Sequence, residues 1–127
     1  MSDETLERLR RERGHVLPVH EMLNAVHPSV LDDYVRLSKN LLFADEPHSL
    51  DLKTRYLVLV GITTAVGGDP DGIVWSSRRA RENGATDAEI IEAACLAALP
   101  GGMPVVEAAA AGLAKVGIFV PRESWPE

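Results

Sequence analysis

The amino-acid sequence predicts a mainly helical domain, and three observations support this. Thr86-Asp87-Ala88-Glu89 is a capping box, in which the threonine and glutamate side chains satisfy backbone donors at the start of a helix. After Pro28, which suits the first turn of a helix, apolar residues recur at helical spacing through Leu42. The alanine-rich segment PVVEAAAAGLAK indicates a last helix that ends at Gly117. The apolar residues of the second observation are Val30, Leu31, Tyr34, Leu37, Leu41 and Leu42.

Residues that favour helix starts or helix ends predict the remaining helices. Acidic residues at the start and arginines at the end predict a first helix over 3–13, and Pro18 opens a short helix through Ala25. Asp69-Pro70 supplies an N-cap and first residue for a helix that ends at Asn83-Gly84. The helix of the capping box is expected to continue through Leu99.

One apolar run is ambiguous by pattern alone. Residues 57–66 read LVLVGITTAV, and the β-branched residues suit a buried strand, whereas the length and the preceding KTR suit a buried helix. Ser49 and Asp51 offer helix caps just before this run. Periodicity therefore does not decide between a buried strand and a buried helix for residues 57–66.

Composition restricts the classes of function. The chain of 127 residues fits one domain, and its net charge of -6 makes nucleic acid an unfavourable partner. Cys95 stands alone, so a CxxC motif, an intrachain disulfide and a thiolate metal cluster are excluded, and a reducing compartment is expected. We find no leader and no apolar stretch of about 20 residues, and therefore expect a cytoplasmic protein that does not enter a membrane.

Two helices carry apolar residues on nearly every side. The segment AEIIEAACLAAL has only Glu89 and Glu92 as charges, and the last helix has a similar character. One small monomer has difficulty covering such helices, so the sequence predicts a homo-oligomer whose subunits share a core. Within the first of these helices, Cys95 is expected to be a buried structural thiol.

The middle of the chain resembles a known superfamily. The motif KTRxLxLxG is followed by a Gly-rich turn, a helix ending RARENGAT, the segment DAEIIEAACLAALPGGMP and an alanine-rich helix. Over about 50–115, this order resembles the carboxymuconolactone decarboxylase and alkylhydroperoxidase D-like superfamily. The resemblance implies an all-α, alkylhydroperoxidase D-like helical bundle, makes 57–66 a helix, and implies a trimer or hexamer.

The resemblance also implies a division of the single domain. Residues 1–49 form an N-terminal helical segment that packs on the core or on a partner subunit. Residues 50–117 form the carboxymuconolactone decarboxylase-like core, and 118–127 form a C-terminal tail.

The residues used by the peroxidases of this superfamily are missing. Those enzymes combine a CxxC pair with a histidine one turn further on and a glutamate on the preceding helix, which together move electrons and protons. Here Asp69 and Gly72 fall near the cysteine positions, Ser76 at the histidine position, and Tyr56 at or beside the glutamate position. The chain is therefore not expected to be a thiol peroxidase.

The same correspondence defines candidate site residues in the core. Ser76 is a candidate catalytic residue that shares one side of its helix with Ile73 and Ala80. Tyr56 is a second, as a donor to an oxyanion, and Arg79 is a candidate for binding an anionic substrate. Trp75 is a further candidate substrate-binding residue. The structural alternatives are a packing serine, a core aromatic and a surface charge.

A polar cluster in the N-terminal segment supplies the other candidates. His15 and His20 lie close to Glu21, and histidine can act as an acid, a base or a metal ligand. Adjacent residues such as His20 and Glu21 diverge on a helix, so no metal site is predicted. We consider His20 as a replacement for the missing catalytic histidine and His15 as a substrate-binding residue.

Two functions remain open from the sequence. The first is an enzyme without a cofactor that acts on a small anionic or carbonyl-containing metabolite by decarboxylation, isomerisation or lactone processing. The second is a non-catalytic oligomer that keeps the scaffold for ligand binding or assembly. An enclosed pocket that contains Ser76 would favour the enzyme, and a cavity filled by side chains would favour the scaffold.

Overall fold

The computed structural model describes residues 2–43, 47–67, 70–124 and 126 of the chain. These residues form helices and no strand, which confirms the all-α fold. The chain divides into two compact units, Met1–His48 and Ser49–Glu127. Within the described part, no helix is both long and apolar enough to cross a membrane.

The described residues of the first unit form three α-helices around a small apolar core. Leu9, Leu31 and Val35 are buried at its centre, one from the first helix and two from the third. The helix after Pro28 is α-helical for a shorter distance than predicted and continues as a π-helical turn. The bounds are α1, Ser2–Arg13; α2, Pro18–Val26; α3, Pro28–Ser38; and the π-helical turn, Lys39–Phe43.

The second unit is built around α4, which packs against the three other long helices of this unit. The ambiguous apolar run is helical here. Asp51 caps α4, since its carboxylate accepts a hydrogen bond of 2.8 Å from the Thr54 amide, and Gly67 ends the helix in the left-handed conformation. The bounds are α4, Leu52–Val66; α5, Pro70–Glu82; α6, Asp87–Leu96; α7, Ala98–Gly101; and α8, Met103–Lys115. Asp69, the predicted N-cap of α5, lies outside the described residues.

The capping box begins α6 as predicted. The Glu89 amide donates to Thr86 Oγ1 at 3.1 Å, and the Thr86 amide donates to Glu89 Oε1 at 2.9 Å. The helix ends at Leu96, three residues before the predicted end, and α7 follows after Ala97. This short helix contacts both α8 and α4.

The prediction that Cys95 is buried is wrong. The core-facing side of α6 carries Ile90, Ala94 and Ala97, which are all buried. Cys95 is exposed because it follows Ala94, and consecutive residues point about 100° apart around a helix. A helix that is apolar all round has no sequence signal for which side faces the core of its own chain.

Candidate functional site

Three predicted site residues of the second unit form a contiguous group, the aromatic–arginine cluster of Tyr56, Trp75 and Arg79. Tyr56 extends from α4 and is almost fully buried. Its ring meets the ring of Trp75 edge-on, with centroids 5.8 Å apart and planes inclined by 72°. Arg79 lies one turn further along α5, and its Cζ is 5.7 Å from the centroid of the same indole. The indole of Trp75 therefore joins the phenol to the guanidinium.

The charge of Arg79 is held in a partly covered position. Its side chain is 28% exposed, and its Nη1 is 3.9 Å from a carboxylate oxygen of Glu82, which is an ion-pair distance but too long for a hydrogen bond. A cation over an indole face is stabilised by the quadrupole of the ring. This contact orients the guanidinium, whose planar fork of N–H groups matches a carboxylate.

Ser76 lies on the inner side of α5 and is fully buried. Ile73 and Ala80 are also buried, so the predicted shared face exists, and it points into the core of the second unit. The Ser76 hydroxyl donates to the Gly72 carbonyl at 2.9 Å, one turn earlier. A serine that bonds back to its own helix has satisfied its donor locally.

The neighbour of Ser76 is Thr63, which is not among the candidates predicted from the sequence. The two hydroxyl oxygens are 3.3 Å apart, and Thr63 donates to the Leu59 carbonyl at 2.7 Å. Thr63 and Ile73 line a small cavity of about 50 Å³ between α4, α5 and α8. The only sequence signal for this contact was a threonine in the middle of an apolar helix, where threonine is otherwise unfavourable.

His20 belongs to the first unit and has a structural role there. It is buried, and its Nδ1 accepts a hydrogen bond of 3.0 Å from the Leu17 amide, at the start of α2. In a capping box, the third residue of the helix accepts a hydrogen bond from the backbone amide of the N-cap residue, and that third residue is usually glutamate or glutamine. Because Nδ1 is an acceptor, the proton of the neutral ring is on Nε2, and that nitrogen is a donor.

Other polar groups surround His20 within the first unit. Its ring stacks on Tyr34 with centroids 6.0 Å apart, and the Arg13 guanidinium bonds to the Tyr34 hydroxyl. Burial lowers the pKa of His20 from its usual 6.5, and the positive charges of Arg13 and His15 lower it further. His15 is half-buried. The first unit therefore contains both predicted histidines, and the second unit contains the other four predicted residues.

The lowered pKa of His20 predicts a pH-dependent stability. The unfolded chain binds the proton more readily than the folded chain. The contribution of His20 to the free energy of unfolding is therefore at its full value above pH 6.5 and decreases as the pH falls below that value. In His20→Gln, glutamine can still accept from the Leu17 amide but does not titrate, so the pH dependence should become weaker. Denaturant unfolding followed by circular dichroism at several pH values measures this slope. His27→Gln, which changes an exposed histidine, should keep the wild-type slope, and a slope that His20→Gln leaves unchanged contradicts the assignment.

Among the described residues, no three His, Cys, Asp or Glu side chains are grouped to hold a metal ion. The polar elements of the candidate site are thus the guanidinium, the phenol and the indole of the aromatic–arginine cluster. The buried hydroxyl of Ser76 and the partly buried hydroxyl of Thr63 lie between α4 and α5.

Comparisons with known proteins agree with this architecture. The structure is similar to a crystal structure of a protein from Burkholderia xenovorans LB400 that carries a provisional assignment as a carboxymuconolactone decarboxylase. The TM-score is 0.76 and the identity 24%, with 92% of this chain and 94% of that chain covered. A comparison with curated proteins gives no significant match. The family model described as carboxymuconolactone decarboxylase family matches residues 28–115, which extends upstream of the segment recognised in the sequence. The chain belongs to the carboxymuconolactone decarboxylase family.

Proposed function

We propose that the chain is a cytoplasmic enzyme without a cofactor that acts on a small anionic or carbonyl-containing metabolite. The reaction is a decarboxylation, an isomerisation or a related lactone conversion. The observation that supports this proposal is the aromatic–arginine cluster, in which the Trp75 indole contacts both the Tyr56 ring and the Arg79 guanidinium.

Each member of the cluster has a chemical role in this proposal. Arg79 binds a carboxylate or an enolate oxygen through paired N–H donors. The Tyr56 hydroxyl donates a hydrogen bond to an oxygen on which negative charge develops, and the buried surroundings strengthen that hydrogen bond. Trp75 forms an apolar wall for the substrate. Ser76 supports α5 from the inside, through its bond to Gly72 and its contact with Thr63.

A carboxylated lactone is the first substrate to test, because the similar protein from Burkholderia xenovorans LB400 has a provisional assignment as a carboxymuconolactone decarboxylase. In such a reaction the bond between the ring carbon and the carboxylate breaks, and carbon dioxide leaves. The electron pair remains on the substrate as an enolate, which takes a proton on carbon from water and leaves hydroxide. A group that stabilises the enolate oxygen lowers the barrier to the first step.

The test of this proposal uses two neighbouring arginines of α5. Arg79→Gln is expected to weaken the binding of a carboxylated lactone roughly 10- to 100-fold, the loss that follows from removing a hydrogen-bonded charge. Arg78→Gln removes an exposed arginine from the adjacent position and should leave affinity unchanged. Binding is measured by ligand-dependent thermal stabilisation, and turnover by release of carbon dioxide. Equal affinity of the two variants, or no stabilisation of wild type by any such acid, would contradict the proposal.

A second function is favoured by the environment of Ser76. Its hydroxyl is bonded within α5, and the neighbouring cavity of about 50 Å³ is far smaller than the 300 Å³ or more typical of ligand sites. These observations favour a family member that binds an anionic ligand at Arg79 without transforming it. Stabilisation by a carboxylated lactone without carbon dioxide release or any change in the ligand, followed by NMR, would identify this second function.

A further inference from the structure

His20 connects the turn after α1 to the start of α2. The turn covers residues 14–17, and Leu17 is the N-cap residue of α2. His20 is the third residue of this helix and is only 2% exposed. Its Nδ1 accepts the Leu17 amide proton over a donor–acceptor distance of 3.0 Å, so the position of the ring and the end of the turn depend on each other.

The same ring lies at the junction of three helices. It stacks on Tyr34 of α3, and Arg13 at the end of α1 lies over the Tyr34 ring, with its Cζ 5.3 Å from the ring centroid. The Arg13 guanidinium also bonds to the Tyr34 hydroxyl. Val16, which precedes Leu17 in the turn, packs against the apolar core of the unit. Contacts of α1, α2, α3 and the turn therefore all depend on where the His20 ring lies.

Protonation changes Nδ1 of His20 from an acceptor to a donor. In the neutral ring Nδ1 carries the lone pair that binds the Leu17 amide, whereas in the imidazolium both nitrogens carry protons. Two N–H groups then face each other at 3.0 Å, and no hydrogen bond can form between them. The positive end of the α2 dipole lies at the same place and disfavours a cation there. The closed arrangement of the turn and α2 therefore favours the neutral ring.

The groups that face His20 from each packed element also favour the neutral ring. Burial lowers the pKa of His20 from its usual 6.5, and the positive charges of Arg13 on α1 and His15 in the turn lower it further. From α3 the ring is faced by Tyr34, a phenol, which is uncharged at neutral and acidic pH. Glu21, the next residue of α2, points about 100° away around the helix. Among the described residues, the charges that shift His20 are thus all positive.

We propose that His20 is an acid-sensitive switch, whose protonation opens the junction of α1 and α2 while the second unit stays folded. The imidazolium moves out of the interior to water, the Leu17 amide loses its acceptor, and the Tyr34 ring loses its stacking partner. All of these groups belong to Met1–His48, which is one of the two compact units of the chain. None of them belongs to the aromatic–arginine cluster, so the switch does not depend on the proposed catalysis.

The pH range of the switch follows from the protonation of its two states. Above pH 6.5 the His20 ring is neutral in both the closed and the open state, so the ratio of open to closed molecules does not change. Between pH 6.5 and the lower pKa of the closed state, only the open state binds the proton, and this ratio rises about tenfold for each pH unit. Below that pKa both states are protonated, and the ratio is constant again.

The test is hydrogen exchange of single amides, measured by NMR on the full chain above and below pH 6.5. The nitrogen signals of the His20 ring report its protonation in the same samples. After correction for the intrinsic pH dependence of exchange, protection of the Leu17 amide should fall about tenfold per pH unit as the pH decreases. Val60, which is buried in α4 of the second unit, should stay more protected than Leu17 at every pH. Constant protection of Leu17, or equal protection of Leu17 and Val60, would overturn the proposal.

Three histidine variants locate the switch. His20→Gln keeps an acceptor for the Leu17 amide that does not titrate, so the protection of Leu17 should no longer change with pH. His27→Gln replaces an exposed histidine and should keep the wild-type pH dependence. His15→Gln removes one of the positive charges, so the His20 ring should titrate at a higher pH and Leu17 should lose less protection in total. A wild-type pH dependence of Leu17 in His20→Gln, or its loss in His27→Gln, contradicts the assignment of the switch to His20.

Discussion

Replacement of Gly112 by alanine is expected to destabilise the second unit by about 2 to 3 kcal/mol, the upper part of the range for overpacking. Gly112 is buried in α8 where this helix crosses α5. A Cβ atom at this position would lie 2.3 Å from Ile73 Cγ2 and 3.3 Å from the Pro70 carbonyl oxygen. Ile73 is buried and β-branched, so its side chain has little freedom to move aside, and the two helices must separate.

The matched control is Gly72→Ala, in the helix that Gly112 contacts. A Cβ atom on Gly72 would find its nearest neighbour, Thr63 Cγ2, at 3.7 Å, which is an ordinary van der Waals contact. Alanine is a better helix former than glycine by roughly 0.5 to 1 kcal/mol, so this variant should be neutral or more stable. Denaturant unfolding of both variants measures the difference, and equal stability would show that α5 and α8 are not in close contact at Gly112.

Replacement of Tyr56 by alanine should cost about 3 to 5 kcal/mol of unfolding free energy, as is typical of a large aromatic side chain removed from a core. Tyr56 is among the largest fully buried side chains of the chain, and its edge contact with Trp75 would be lost. Trp75 would then lack its packing partner on α4, and its fluorescence should shift to longer wavelength. The measurement is denaturant unfolding followed by circular dichroism and tryptophan emission.

Tyr56→Phe separates the packing of the ring from the chemistry of the hydroxyl. The phenyl ring keeps the contact with Trp75, so most of the stability lost in Tyr56→Ala should be retained. If the phenol acts as a proton donor, turnover of the substrate should fall by about 10²-fold or more while the fold stays intact. Unchanged turnover in Tyr56→Phe would restrict Tyr56 to a structural role. A large loss of stability in this variant would contradict a role of the ring in the edge-on contact with Trp75.

Local signals were the most reliable part of the sequence. The capping box at Thr86 and Glu89, the cap at Asp51 and the proline starts at Pro18 and Pro28 each involve atoms within a few residues of one another. Such contacts form whenever the segment is helical, so the order of residues within the segment is enough to predict them. Periodicity alone did not distinguish a helix from a strand at residues 57–66. The resemblance to the superfamily predicted the helix.

Helix ends without such signals were harder to place. The helix after Pro28 changes to a π-helical turn after Ser38, and α6 ends at Leu96 although the alanine-rich sequence continues. Intrinsic propensity does not distinguish these positions from a continuing helix. Packing against neighbouring helices decides them, and α7 contacts both α4 and α8.

In the candidate site as well, the sequence predicts single residues, whereas their contacts depend on how the helices pack. The family pattern identifies Tyr56 as a candidate, the charge identifies Arg79, and Trp75 is a further candidate. Their contact through one indole ring depends on how α4 crosses α5. The role of Ser76 as a buried serine beside Thr63 depends on the same crossing. A linear pattern contains neither the distance nor the orientation between two helices.

The helical class, the caps at Asp51 and Thr86, the family and the absence of a cysteine pair can all be predicted from the residues alone. These properties depend on residue identity and on interactions within one or two helical turns. The exposure of Cys95, the hydrogen bond from the Leu17 amide to His20 at the start of α2 and the apolar groove between α4 and α6 become visible only in the folded chain. Helices that are apolar on most sides can pack in several rotations, and the choice among them is made by the complementary shapes of their neighbours.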